Sequence, residues 1–138
     1  MLGIKLEQPF SLLMEVVETD DHVPSMRVET KITITQFQHM LSYQGSFWIE
    51  CANWSSFSNA LNNSSLDATL KDMNDHFVLA ISENKDKKIL YWEFKKTDAG
   101  GGKKTIIAFS AEVDDDMLAK IKREFAEFPA WWSPSDPG

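Results

Sequence analysis

The sequence of 138 residues lacks several features that define common protein classes. Its single cysteine, Cys51, excludes an internal disulfide and fits a reducing compartment, so we expect a cytoplasmic protein. The opening residues show no basic region followed by an apolar one, so they predict no secretion signal. No apolar run approaches the ~20 residues that a membrane helix needs, and we expect no membrane association.

Patterns for metal binding and catalysis are also missing from the sequence. His22, His39 and His76 lack metal-ligand spacing, and Cys51 lies among apolar residues, as a buried structural thiol would. The segment DMNDHF (residues 72–77) lacks the glycine and glutamate of a calcium loop and predicts a turn. The sequence therefore predicts no cofactor and no enzymatic activity. A pocket that held His39 or His76 close to a carboxylate would instead favour a small hydrolase.

The glycine-rich segment TDAGGGKKTIIAF (residues 97–109) resembles a phosphate-binding loop in composition only. Such a loop needs a serine or threonine after its Gly-Lys pair and then a helix, but Gly102 and Lys103 precede Lys104. The β-branched residues that follow alternate as in a strand. The segment therefore predicts the turn of a β-hairpin.

Positive charge is scarce, with 14 basic against 21 acidic residues and a net charge of −7. A nucleic-acid partner is not expected, because phosphate neutralisation requires lysine and arginine. Residues 85–104 hold seven lysines and three carboxylates, a net +4, which leaves −11 on the rest of the chain. This distribution predicts a solvated basic hairpin on an acidic body. An acidic body can also steer a basic partner towards it.

Alternation of apolar and polar residues predicts strands, most clearly in MRVETKITITQF (residues 26–37). The other predicted strands are at residues 10–18, 37–51, 76–84, 87–96 and 103–113, with shorter ones at 4–6 and 66–70. The stretch at 37–51 is expected to be interrupted or bulged near Gly45. The turns between strands are too short for parallel crossovers, so the pairing is predicted to be antiparallel.

Two helices are predicted from apolar residues at spacings of three and four. A short one holds Trp54, Phe57 and Leu61 on one face, with Asn53 as its N-cap. A longer C-terminal one begins at the run of Asp114 to Asp116 and stops at Pro129. Its apolar face is formed by Leu118, Ile121, Phe125 and Phe128.

These elements predict one α+β domain over residues 1–138. It has a mostly antiparallel β-sheet of about six strands, a short middle helix and a C-terminal amphipathic helix packed on the sheet. Residues 129–138 are expected to form an irregular tail.

The order of elements resembles that of small bacterial immunity proteins of the WapI-like kind. The resemblance spans residues 10–128 and includes W-x-x-F-x-x-x-L in the middle helix, at Trp54, Phe57 and Leu61, and the acidic start of the last helix. It implies a non-enzymatic protein that neutralises a toxin domain by direct binding, and the acidic charge of the chain favours a basic toxin domain as the partner. It supplies no catalytic motif.

Five residues are candidates for contact with such a partner. Glu18, Asp20 and Asp21 supply negative charge near the first turn, and Trp131 and Trp132 are aromatic anchors of the type that interfaces favour. The alternative, which the sequence favours for the two tryptophans, is that they pack onto the core. The alternative function is a ligand-binding module or a homodimeric assembly module, joined through a strand edge or the tryptophan pair, and the sequence allows a monomer or a homodimer.

Overall fold

A computed structural model describes residues 2–132 as an α+β domain with two antiparallel four-stranded sheets and two helices. The predicted fold class is confirmed. There are eight strands rather than about six, because both short stretches near residues 4 and 68 also pair, and the strands divide into two sheets. Residues 133–138 of the expected tail lie outside the described part of the chain.

The first sheet has the order β1-β2-β3-β4 and the second the order β5-β6-β7-β8. The strands of the first sheet are β1 (Gly3–Leu6), β2 (Ser11–Asp20), β3 (Ser25–Gln36) and β4 (His39–Glu50). Those of the second are β5 (Asp67–Lys71), β6 (Phe77–Asn84), β7 (Lys87–Thr97) and β8 (Lys104–Glu112). Helix α1 (Cys51–Ala60) connects the two sheets, and α2 (Asp115–Glu127) follows the second.

Aromatic side chains fill the space between the two sheets. Tyr43 and Phe47 lie on one face of β4, and their rings contact Phe94 on β7 at 4.9 Å and Phe77 on β6 at 4.7 Å, respectively. The inward face of β4 therefore packs on both β6 and β7 of the second sheet. Trp92 is fully buried at the centre of this layer.

The two helices pack on each other through the apolar faces that their spacing predicts. Trp54 and Phe57 of α1 lie 5.1 and 4.8 Å from the ring of Phe125 on α2. At the start of α2, the side chain of Asp114 accepts a hydrogen bond of 2.8 Å from the backbone N–H of Met117. This is the cap expected of a carboxylate at a helix N-terminus.

The prediction that Asn53 caps α1 is wrong. The helix begins at Cys51 with Glu50 as its N-cap, and Glu50 makes no side-chain capping bond. Asn53 lies within the first turn, and its side-chain oxygen accepts a hydrogen bond of 2.8 Å from the backbone N–H of Lys71. The amide that resembles a cap in the sequence instead fastens α1 to β5.

The predicted irregularity near Gly45 is also wrong, since β4 pairs with β3 in one continuous register. The only register shift in the first sheet lies between Val16 and Glu18 of β2. Gly45 is required for a different reason. A Cβ atom at this position would lie 2.2 Å from the hydroxyl oxygen of Tyr43, whose ring extends over the glycine.

The lysine-rich segment does not form one basic hairpin. Its lysines lie in or beside the β6–β7 turn and the β7–β8 turn, at opposite ends of β7. Eleven residues of extended chain separate these turns by roughly 33 Å. In the first turn, Lys88 pairs with Asp115 at 2.6 Å and Lys87 with Glu112 at 3.5 Å. The positive charge is therefore divided and partly neutralised.

Candidate functional site

Four exposed carboxylates converge where β2, β3 and β4 meet near the start of α1. Asp20 pairs in register with Ser25, and Ser25 with Glu50, so this row crosses three strands. Strand spacing puts the Asp20 and Glu50 backbones roughly 10 Å apart. Glu18 lies two residues before Asp20, and Asp21 begins the adjoining turn. We call Glu18, Asp20, Asp21 and Glu50 the acidic end.

Little positive charge offsets the acidic end. Arg27 pairs with Glu18 at 3.3 Å, and both side chains are partly exposed, at 34% and 55%. A second nitrogen of Arg27 donates to the hydroxyl of Ser46 at 3.1 Å, so the guanidinium stays on the outer face of the sheet. Among the described residues, the other three carboxylates of the acidic end have no ion-pair partner. This leaves a concentrated negative surface.

Helix α1 joins the acidic end to the predicted aromatic pair. The backbone N–H of Cys51 donates to the carbonyl of Pro24 in the β2–β3 turn at 2.9 Å. Four residues further along the helix, roughly 6 Å, the hydroxyl of Ser55 accepts a hydrogen bond of 3.0 Å from the indole of Trp132. Trp132 therefore bonds to α1 one helical turn from the residue that holds the β2–β3 turn, which Asp21 begins.

The two tryptophans are neither fully buried nor free in solvent. Both are half-buried and pack against the core, with their rings 5.6 Å apart in an edge-to-face arrangement. Trp132 also lies 6.1 Å from the ring of Phe128. Their remaining surface is accessible, and the exposed side chains of Val17 and Val23 lie on the neighbouring β2 and β2–β3 turn. The acidic end therefore has apolar surface beside it.

The segment at residues 72–77 forms the turn that its sequence predicts. Asp72 is buried, and one of its carboxylate oxygens accepts backbone N–H bonds from His76 at 2.7 Å and Phe77 at 2.9 Å. The other oxygen accepts from Asn74 at 3.4 Å. The carboxylate therefore organises the turn between β5 and β6. Within residues 2–132, no three His, Cys, Asp or Glu side chains are grouped so that they could hold a metal ion.

His76 lines a cleft of about 310 Å³ on the outer face of the second sheet, together with Asp75, Glu93 and two lysines. This is the kind of arrangement that would favour a hydrolase. The carboxylate of Glu93 already accepts a hydrogen bond of 2.5 Å from the Tyr91 hydroxyl. No serine, threonine or cysteine is among the residues that line this cleft. His39, by contrast, is exposed at the start of β4.

The glycine-rich segment and Cys51 take the structural roles that the sequence predicts. The segment forms the β7–β8 turn, in which Asp98 and Lys103 share a backbone hydrogen bond of 2.9 Å and Gly101 has a φ of 72°. A strand follows it, so no helix N-terminus is available for a phosphate. Cys51 is fully buried, and burial raises the pKa of its thiol to about 11.

Two surface features escaped the sequence analysis. Glu50 joins the acidic end only through its register with Ser25, a relationship that cannot be inferred from spacing along the chain. Phe37 lies at the β3–β4 turn and is 88% exposed. Its position in the turn QFQH was detectable, because turns favour Gly, Asn and Asp rather than a large apolar residue.

No protein-family model, curated protein or solved structure matches this chain. In the part of the chain that the structure describes, no helix is long and apolar enough to cross a membrane.

Proposed function

We propose that this chain is a non-enzymatic binding protein that neutralises a basic toxin domain by direct contact, as the WapI-like immunity proteins that it resembles do. The observation that carries the proposal is the acidic end, where strand register brings Glu50 to the three carboxylates of residues 18–21, and which α1 links to a pair of half-buried tryptophans.

Electrostatics favours this surface as the first point of contact. Three of its carboxylates have no ion-pair partner among the described residues, and the basic β6–β7 turn of the second sheet is partly neutralised. Like charges grouped together attract a basic partner over roughly 8 Å at physiological salt and raise its association rate. Many secreted toxins are basic nucleases, so an inhibitor of such a toxin gains from this arrangement.

Aromatic and apolar groups beside the charges can slow dissociation. Trp131 and Trp132 are already ordered by their contact with each other and by the bond to Ser55. Immobilised aromatic side chains lose little conformational entropy when a partner covers them. Val17 and Val23, exposed at 41% and 50%, extend this apolar surface. Charge would govern encounter, and these groups would govern residence time.

The proposal is tested with the toxin-like protein encoded next to this chain, if such a neighbour exists. Cells that express that toxin domain should survive when the chain is co-expressed, and the purified proteins should form a complex. The double variant Asp20→Asn, Asp21→Asn should protect less well at equal expression. Survival equal to that of an empty vector, or the absence of a toxin-like neighbour, would refute the proposal.

A matched control separates local from general charge effects. Asp86 and Asp98 are exposed in the two turns of the second sheet, so Asp86→Asn with Asp98→Asn changes the net charge equally. This control should protect as well as the unmodified chain. Equal losses from both double variants would mean that total charge, rather than the acidic end, matters.

The His76 cleft favours a hydrolase as the second candidate. Hydrolysis there would use the His76 imidazole as a base towards water, since the cleft has a histidine and carboxylates but no side-chain nucleophile. The purified chain would then hydrolyse ester or phosphoester probes, and His76→Ala would abolish this turnover. An unchanged background rate in both proteins would exclude this candidate.

A further inference from the structure

The outer edge of β4 offers unpaired backbone groups. β4 is the last strand of its sheet, and within residues 2–132 no other strand pairs with its free side. The N–H of Cys51 bonds to Pro24 towards β3, whereas the carbonyl of Trp48 accepts a bond of 2.8 Å from Met73 on the opposite side. Hydrogen-bonded and non-hydrogen-bonded residue pairs alternate along an antiparallel ladder. The backbone groups of every second residue of β4 therefore also point outward, namely those of Met40, Ser42, Gln44 and Ser46.

This edge lacks the devices that usually prevent strand pairing. Residues 39–49 contain no lysine, arginine, aspartate or glutamate. Natural edge strands are commonly protected by charge, proline or a bulge, and β4 has none of these along its regular register. A chain with a net charge of −7 repels its own copies, so an uncharged edge is where two copies can approach at least cost.

Exposed apolar side chains stand at both ends of the free edge. Phe37 lies at the β3–β4 turn, at one end of the edge, and is 88% exposed. Met73 is 47% exposed and lies at the other end, where its backbone N–H bonds to the carbonyl of Trp48. Phe37 lies five residues before Ser42, and Trp48, to which Met73 bonds, lies six residues after it. If two such edges run antiparallel, the turn of each copy therefore arrives beside Met73 of the other.

We propose that two copies of this chain associate through β4, with the two strands antiparallel and centred at Ser42, so that Phe37 of each copy packs on Met73 of the other. In this register Met40 lies opposite Gln44, and Leu41 lies opposite Tyr43 of the second copy. Leu41 is 38% exposed and would become buried against the second copy. The contact combines backbone hydrogen bonds with a sulfur–aromatic contact at each end.

The inference does not depend on the proposed function, because the carboxylates of the acidic end lie beyond the bond from Met73 to Trp48 that ends the free edge of β4. Sedimentation equilibrium from micromolar to millimolar protein measures the self-association. The mass should rise from 15.7 kDa towards twice that value as the concentration increases. Amide exchange at Met40, Ser42 and Gln44 should slow over the same range, since these N–H groups become bonded only in the dimer.

Ser42→Lys is the principal variant, because the two-fold axis brings its like charges directly together. It should weaken association at least about tenfold. Phe37→Ser removes the apolar contact without touching the ladder and should weaken association as well. Ser110→Lys is the matched control, since Ser110 is exposed on β8, the edge strand of the second sheet.

A mass of 15.7 kDa at every concentration would overturn the proposal. A dimer that survives both Ser42→Lys and Phe37→Ser would also overturn it. So would a dimer that dissociates on Ser110→Lys but not on Ser42→Lys, because this would place the interface at β8.

Discussion

The indole N–H of Trp132 donates a hydrogen bond of 3.0 Å to the hydroxyl of Ser55, which lies 77 residues earlier in the chain. This bond ties the segment after α2 to the outer side of α1. The same helix holds the β2–β3 turn through the backbone contact between Cys51 and Pro24. The arrangement of the proposed binding surface therefore depends on a helix that contributes little charge of its own.

Removal of the Ser55 hydroxyl is expected to lower the free energy of unfolding by about 1 kcal/mol relative to the control Ser56→Ala. Ser56 is exposed on the same helix, so both variants gain the same helix propensity and only Ser55→Ala loses a hydrogen bond. Urea unfolding followed by fluorescence measures the difference. Identical midpoints would show that the bond does not stabilise the fold.

Gly45→Ala is expected to destabilise the protein by about 1–3 kcal/mol, because its Cβ would meet the Tyr43 hydroxyl oxygen at 2.2 Å. Tyr43→Phe in the same chain removes that oxygen and should recover part of the loss, although the ring carbon remains at 2.9 Å. Thermal unfolding of the two single variants and the double variant gives the coupling energy. Gly102→Ala, where a Cβ meets nothing within 4 Å, should cost much less. Additive losses at positions 43 and 45 would contradict this account.

Asp72→Asn is expected to reduce stability by about 1.5–3 kcal/mol, because the buried carboxylate accepts three backbone N–H bonds and an amide oxygen replaces only some of them. Asp75→Asn in the same turn is exposed and should change stability by less than about 0.5 kcal/mol. Urea unfolding compares the two. Equal effects would mean that the turn does not depend on Asp72.

The ion pair between Lys88 and Asp115 predicts a pH effect. The hydrogen bond from Lys88 holds the pKa of Asp115 below its usual value of 3.8. A carboxylate whose pKa is lower in the folded than in the unfolded state stabilises the fold at pH values above its unfolded-state pKa. This stabilisation is lost as the pH falls through the folded-state pKa. In Lys88→Met, an NMR titration should show the pKa of Asp115 rising towards 3.8, while Lys87→Met should leave it in place. An unshifted Asp115 in Lys88→Met would refute the pairing.

Local patterns were sufficient to predict most of the elements. Alternation in residues 26–37 and the spacing of Trp54, Phe57 and Leu61 correspond to β3 and to the buried face of α1. The division into two sheets was not predictable in this way, because local patterns do not show that the strands before α1 pair only with each other and that those after it do the same. The errors at Gly45 and Asn53 have the same origin. Gly45 makes room for the ring of Tyr43, and Asn53 bonds to the backbone of Lys71. The usual sequence signals for glycine and asparagine do not predict either contact.

The candidate site was predictable only in part. The sequence offered Glu18, Asp20, Asp21 and the two tryptophans as separate groups. Their connection through α1 depends on long-range contacts, those of Cys51 with Pro24 and of Trp132 with Ser55. Glu50 was missed because its membership depends on strand register. Phe37 was missed although an exposed aromatic residue in a turn is a visible anomaly.

The most direct test of the account is the rate at which the chain associates with the toxin-like protein encoded beside it, measured by stopped-flow fluorescence at low and high salt. The account predicts that Asp20→Asn with Asp21→Asn slows association several-fold at low salt. It also predicts that dissociation changes little and that the difference shrinks at high salt. An association rate no different from that of Asp86→Asn with Asp98→Asn would contradict the central role of the acidic end.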